Sequence, residues 1–217
     1  RFEQVDLARP EQLVGKLRDA DAVFHFAAES HVDRSLQDSR VFFEANAAGT
    51  QALLTEARAA GVKKFVHVST DEVYGSRAQG AFRETDGLNP TNPYSVSKAA
   101  AEFLALNAYR QSGLPVVVTR GSNTYGPWQY PEKVIPLFIA NALSGQGLPL
   151  YGDGLQERDW LHVDDHCEAV YFAHRSGKPG EIYNVSGGFH LTKLELTRRL
   201  LKELGLPGRE KELICPV

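Results

Sequence analysis

Methionine is absent from the 217-residue sequence, and cysteine occurs only as Cys167 and Cys215. Two such cysteines make neither a disulfide framework nor a metal-ligand spacing, and a reducing cytoplasm fits that usage. No stretch of about 18 or more apolar residues occurs, so no segment reads as a membrane-spanning helix. The formal net charge of -3 lacks the basic excess of a typical nucleic-acid binder. Internal repeats, low-complexity tracts and long linkers are missing too. The chain opens on RFEQVDL, with no initiator methionine, signal peptide or capped first helix, and so is expected to begin inside a longer protein.

What remains is an ordinary globular composition, 42% hydrophobic and 24% charged. Four apolar runs have strand length: AVFHFAA (22–28), FVHVS (65–69), VVVT (116–119) and EIYNV (181–185). They are nearly continuous instead of alternating, as in a parallel sheet covered on both faces. Between them, residues 36–60 and 94–111 carry apolar side chains at helical spacing. Strand–helix–strand repetition of this kind predicts an α/β fold with a doubly wound parallel sheet. From about Gly121 the composition shifts to Gly, Pro and aromatics, in GSNTYGPWQYPEK and SGQGLPLYGDG. Residues 1–120 are therefore expected to form the sheet domain and 121–217 a smaller region, with about 160–185 returning to the sheet.

The run FVHVS ends in Thr70, Asp71 and Glu72. Ligands of open α/β sheets bind beyond the carboxyl ends of the strands, and neighbouring residues of an extended chain point to opposite sides. Two adjacent acids could thus flank one small ligand, although a solvated turn or a helix cap explains them equally well. In NPYSVSKAAAEF, Tyr94 and Lys98 stand four apart behind the helix start Asn92-Pro93, which places them on one face. A free tyrosine ionises near pH ~10, and lowering that by ~3 units takes roughly 4 kcal/mol. A nearby ammonium and a cationic cofactor could supply it, but such a pair also arises by chance. In FHFAAESHVDRS (24–35), the small residues Ala27 and Ala28 would let a cofactor approach the backbone, or would merely ease helix–sheet packing.

Taken together, AAESHVDRS (27–35), HVSTDEVYG (67–75), PYSVSKA (93–99), SNTYGP (122–127), PEKVIPL (131–137), LPLYGDG (148–154) and RDWLHVDDHC (158–167) resemble the dTDP-glucose 4,6-dehydratases, a branch of the extended short-chain dehydrogenase/reductases. The Tyr-x-x-x-Lys pair is common to that superfamily, whereas Thr-Asp-Glu together with ESHVDRS is specific to the branch. The resemblance implies a Rossmann-like sheet without its first βαβ unit, NAD as cofactor and dTDP-glucose as substrate. Tyr94 would take the proton of the sugar C4 hydroxyl while NAD accepts the C4 hydride. Lys98 would hold the nicotinamide ribose and keep Tyr94 ionised, and Thr70 would bond the C4 oxygen. Glu72 would remove the C5 proton, Asp71 would protonate the departing C6 hydroxyl, and the hydride would return to C6. Two neighbouring carboxyl groups in different protonation states meet that demand for one acid and one base. The cofactor would also contact Asp6, Leu7, Phe26, Ala27, Ala28 and Ser30. The substrate would contact Ser30, Asn123, Lys133, Val134, Pro149, Tyr151 and Arg158. A homodimer built from the helices at 36–60 and 94–111, burying Phe103 and Leu104, is implied as well. The 4-keto-6-deoxy product would feed deoxysugar synthesis, rhamnose included.

The sequence departs from that branch in several places. The Gly-rich phosphate turn and the acidic residue that reads the adenosine ribose are not present, so a true 217-residue fragment is expected to be inactive. Ala45, Thr124 and Lys193 replace a threonine, an asparagine and a substrate-contacting asparagine. The alternatives are a sugar-nucleotide 4-epimerase or uronate decarboxylase of the same fold, in which Asp71 beside Glu72 would be idle, and a nucleotide-sugar-binding protein without catalysis. His162 and His166 lie four apart, but a zinc site would want a third ligand, and an aspartate-capped helix start explains the stretch better, so no metal is expected.

Overall fold

The computed structural model describes residues 1–216. Helix α1 (Pro10–Leu13) precedes strand β1 (Ala22–His25). Helices α2 (Val32–Gln37) and α3 (Ser39–Phe42), a π-helical turn (Phe43–Ala48) and helix α4 (Gly49–Ala59) lead to β2 (Lys64–Thr70). A 3-10 turn (Asp71–Tyr74) and the long helix α5 (Pro93–Ser112) precede β3 (Val116–Gly121). There follow β4 (Asn123–Tyr125), α6 (Val134–Leu143), β5 (Leu148–Leu150), β6 (Glu157–His162), α7 (Val163–Ser176) and β7 (Ile182–Val185). The chain ends in β8 (His190–Thr192), α8 (Lys193–Glu203), α9 (Glu210–Leu213) and β9 (Ile214–Pro216).

Two compact units result: Arg1–Gly121 with Cys167–Val185, and Ser122–His166 with the chain from Ser186 onward. In the first, four parallel strands pair in the order β1-β2-β3-β7. Helices α4 and α5 cover one face, where Leu53, Leu54, Ala57, Ala105 and Leu106 pack on Phe65, Val116 and Val118. Val170 of α7 covers the other face against Val66 and Val68. Alternate residues of β2 thus meet different helices, which is why that strand is apolar throughout and the sheet is doubly wound. In the second unit β6 pairs parallel with β4 and antiparallel with β8, and β5 pairs with β9.

Three details differ from the expectations. The run 22–28 leaves the sheet after His25, because the Asn46 side chain takes both the N–H and the C=O of Glu29, at 2.8 and 2.9 Å, and draws the chain away. The stretch 36–60 is not one helix: Asp38 is extended, and its carboxylate caps α3 by accepting from the Arg40 N–H. Nor does an aspartate cap the helix of HVDDHC. Strand β6 runs straight into α7, leaving no residue between them, and the His162 ring accepts from the Asp164 N–H at 3.3 Å.

Candidate active site

Strand β2 delivers Thr70 to its carboxyl end, opposite Gly121 of β3. Thr70 is buried, and its hydroxyl caps the 3-10 turn by accepting from the Glu72 N–H at 3.3 Å. The same hydroxyl donates to Asp71 Oδ1 at 3.4 Å. Asp71 and Glu72 form the first half of this turn and stay partly exposed, while Val73 and Tyr74 in its second half are buried. Gly75 closes the turn with φ of 76°, and a Cβ there would lie 2.3 Å from the Asn89 carbonyl oxygen. The sequence TDEVYG therefore folds as cap, two presented acids, two anchors and a close backbone approach.

Helix α5 starts where NPYS predicts. Asn92 and Ser95 form a reciprocal capping box, Pro93 occupies the first turn, and Gly113 ends the helix with a left-handed backbone. Tyr94 in the first turn keeps some exposure, whereas Lys98 one turn later is only 4% exposed. The Lys98 ammonium donates to the Val68 carbonyl at 2.7 Å, tying α5 to β2.

The expected ionised tyrosine is not what the protein alone supports. Burial pushes the Tyr94 phenol up to about 12; the nearby Glu72 and Asp71 charges push the same way, and a hydrogen bond with Thr70 opposes them. Lys98 is pulled down to about 8 by burial, partly offset by the Glu102 charge. One of its donors is taken by the strand carbonyl, and a phenol pushed up this far by burial ionises near neutral pH only with added positive charge beside it.

A further layer of buried polar groups, not evident in the sequence, lies beneath these residues. Asn46, buried on the π-helical turn, donates to Ser97 Oγ at 2.9 Å besides holding Glu29. Ser97 Oγ in turn donates to the Tyr94 carbonyl at 2.7 Å. His25 Nε2 meets Thr50 Oγ1 at 2.8 Å, and the fully buried His67 stacks obliquely on His25 at 5.3 Å. Burial first, and the Lys98 charge second, hold His25 at about 4 and His67 well below its ordinary value, so both rings are neutral. The lone Asn in FEANAA and the single histidine in each of the apolar runs 22–28 and 65–69 are the local signs of it.

The remaining candidates fall in separate places. Phe26, Ala27, Ala28 and Ser30 are exposed beyond the carboxyl end of β1. Asp6 is exposed, bonded to the Ala8 N–H and paired with Arg9 at 3.4 Å, while Leu7 packs on the core. In the second unit Asn123 lies on β4, donating to the Asp159 carbonyl at 3.4 Å. Lys133 and Val134 begin α6, Pro149 sits in β5, and Arg158 is exposed on β6. The Lys193 ammonium sits 4.9 Å from the centre of the Tyr151 ring. His166 Nδ1 is 2.8 Å from Thr124 Oγ1.

Known proteins share both sequence and fold with this chain. It is 51% identical over 205 residues to a dTDP-glucose 4,6-dehydratase of Streptomyces antibioticus, covering 94% of this chain and 61% of that protein. It is 45% identical to the low-salt glycan biosynthesis protein Agl12 of Haloferax volcanii, covering 98% of this chain and 68% of that one. The dTDP-glucose 4,6-dehydratase DesIV of Streptomyces venezuelae, solved with NAD bound, superposes with a TM-score of 0.96 at 48% identity, covering 100% of this chain and 66% of its own. A UDP-glucuronic acid 4-epimerase of Bacillus cereus gives 0.88 at 29% identity, with 99% and 66% covered. The chain spans about three fifths of the length of the first two dehydratases it matches. With a parallel four-stranded sheet, Tyr94 and Lys98 one turn apart on α5, and residues 1–186 matched by the family profile, the chain belongs to the NAD dependent epimerase/dehydratase family.

Proposed function

We propose that the whole protein converts dTDP-glucose to dTDP-4-keto-6-deoxyglucose with NAD as a recycled cofactor. One observation carries this reading: the acids that follow Thr70 are presented on a capped turn close enough to Tyr94 that both charges act on its phenol. An epimerase at C4 has no use for that pair. Relatives named as dTDP-glucose 4,6-dehydratases support the reading.

The residues present suit the cofactor. Tyr94 needs an added positive charge to ionise near neutral pH, and an oxidised nicotinamide carries one. Among the described residues Val68 takes one of the three Lys98 donors, which leaves two for ribose hydroxyls. Phe26, Ala27, Ala28 and Ser30 offer an accessible edge to it, and Asp6 with Leu7 the adenine contact. NAD, when bound, accepts a hydride from C4 and returns it to C6.

Tyr94 takes the C4 hydroxyl proton, with Thr70 bonding the same oxygen. Once C4 is a ketone the C5 proton is acidic; Glu72 removes it and gives a proton back to C5 when C6 is reduced. Asp71, protonated, supplies the proton with which the C6 hydroxyl leaves as water. Asn123, Lys133, Val134, Pro149, Tyr151 and Arg158 are assigned to the nucleotide and its diphosphate, and Ser30 to the sugar. The first unit is the cofactor domain and the second the substrate domain.

The helices at 36–60 and 94–111 are assigned to a homodimer. Phe103, 59% exposed, and the partly exposed Val41, Phe43 and Val96 favour it, whereas Leu104 packs on the core of its own unit. No described helix is long and apolar enough to cross a membrane, and two exposed free thiols suit a reducing cytoplasm.

The test uses the full-length protein and dTDP-glucose carrying deuterium at C4, with the product read by NMR. Deuterium at C6 of a 4-keto sugar is the expected result. Deuterium kept at C4 with inverted configuration would make the protein an epimerase and remove the roles given to Asp71 and Glu72.

A further inference from the structure

Behind the proposed site lies a buried ion pair that the chemistry above does not use. Arg120 of β3 and Glu102 of α5 are 3% and 1% exposed. Arg120 Nε donates to Glu102 Oε2 at 3.1 Å, and Nη2 donates to Oε1, a two-pronged contact. Its third nitrogen, Nη1, donates to the Tyr74 hydroxyl at 2.6 Å, and the guanidinium lies 4.6 Å from the centre of the Tyr74 ring. The Tyr74 hydroxyl donates its own proton to Asn184 Oδ1 at 2.7 Å. Asn184 is held by the Glu84 carboxylate at 2.9 Å and the Phe82 carbonyl at 3.1 Å, and the Tyr74 ring stacks on Phe82 at 4.6 Å.

The two ends of this network matter. Glu102 stands one turn after Lys98 and two after Tyr94 on α5. Tyr74 is the last residue of the four-residue turn that begins with Asp71 and Glu72. So short a turn has little stability of its own, and its position is set at one end by Thr70 and at the other by Tyr74. A buried ion pair adds little stability over apolar residues of equal volume, but a planar, doubly bonded guanidinium allows few geometries. We propose that Arg120, braced by Glu102 and gripping Tyr74, is a positioning residue that fixes the acid pair at a set distance from Tyr94 and Lys98, so that elimination follows oxidation at the same sugar. This rests on the dehydratase reading above.

The experiment uses full-length protein with NAD and dTDP-glucose, and compares Tyr74→Phe and Arg120→Met with the parent by rapid quench. Tyr74→Phe keeps the stacked ring and loses one hydroxyl, so it carries the test even if Arg120→Met, which leaves the buried Glu102 without its partner, fails to fold. The expected result is that water elimination slows by roughly 10- to 100-fold while C4 oxidation changes by less than about threefold. The sugar should then accumulate as a 4-ketone that keeps its C6 hydroxyl, with KM unchanged. A purely structural network would lower the melting temperature and slow both steps together with no accumulation, and that result overturns the proposal. So does an unaltered partition in Tyr74→Phe. A parent protein that turns over the substrate without dehydrating it would overturn the functional reading, and this proposal with it.

Discussion

Residues proposed for proton transfer in the first unit and residues proposed for the diphosphate in the second are held by different means. In the first, Thr70 and Lys98 are buried, each is bonded to the backbone of the turn or strand beside it, and Asn46, His25 and the Arg120–Glu102 pair pack beneath or beside them. In the second, Arg158 is exposed, Tyr151 is 55% exposed, and Lys193 touches Tyr151 through a cation–ring contact. The difference matches the demands proposed for each. Proton transfer fails when donor and acceptor are misplaced by about an ångström, so its groups need rigid support. Attraction between a flexible cation and a diphosphate falls off slowly with distance and tolerates mobility.

The largest effects are expected at the residues proposed to be catalytic. Tyr94→Phe should lower turnover by roughly 10³-fold or more, and Glu72→Gln by roughly 10²- to 10³-fold with C4 oxidation retained. Steady-state rates beside ketone formation separate the two, and equal loss of both steps in Glu72→Gln would remove its role as the C5 base.

Lys98 makes a pH test of the rigid unit. Its folded value of about 8 lies below its ordinary 10.5, so between these values the unfolded chain binds more protons and the folded state gains stability as pH rises. The 2.5-unit gap (10.5 minus 8) corresponds to about 3 kcal/mol. Lys98→Met should abolish that slope relative to the parent in denaturant titrations at both pH values. Identical slopes would mean that the lysine is solvated.

Asn46→Ala leaves the Glu29 N–H without its partner and releases the loop after β1, which should cost about 1–3 kcal/mol of unfolding free energy. Arg158→Ala, at an exposed position of the second unit, should raise substrate KM about tenfold, or roughly 1.4 kcal/mol, with kcat and melting temperature unmoved. A fall in kcat there would erase the distinction between the units.

Part of this architecture is legible in the sequence. The runs at 65–69, 116–119 and 181–185 form the parallel strands β2, β3 and β7, because short, nearly continuous apolar runs suit a parallel sheet. The start of α5 at Asn92-Pro93 is legible because capping is local chemistry. The break at Asp38 is not, since an acid inside an amphipathic run looks like surface until its carboxylate is seen capping the next helix. The Arg120–Glu102 pair is equally hidden: its partners are 18 residues apart, and Tyr74 is 46 from Arg120. Charged residues in a sequence read as solvated unless their contacts are known.

By itself the sequence determined the parallel α/β class, the limits of helix α5, the acids behind a strand end and the Tyr–Lys spacing. All of these depend on neighbours within a turn or two of chain. Only the tertiary structure decided that the phenol is pushed up instead of down, that Lys98 is spent partly on Val68, and that a buried guanidinium joins the acid turn to the tyrosine helix. Burial and long-range pairing set those quantities, and neither is a property of local sequence.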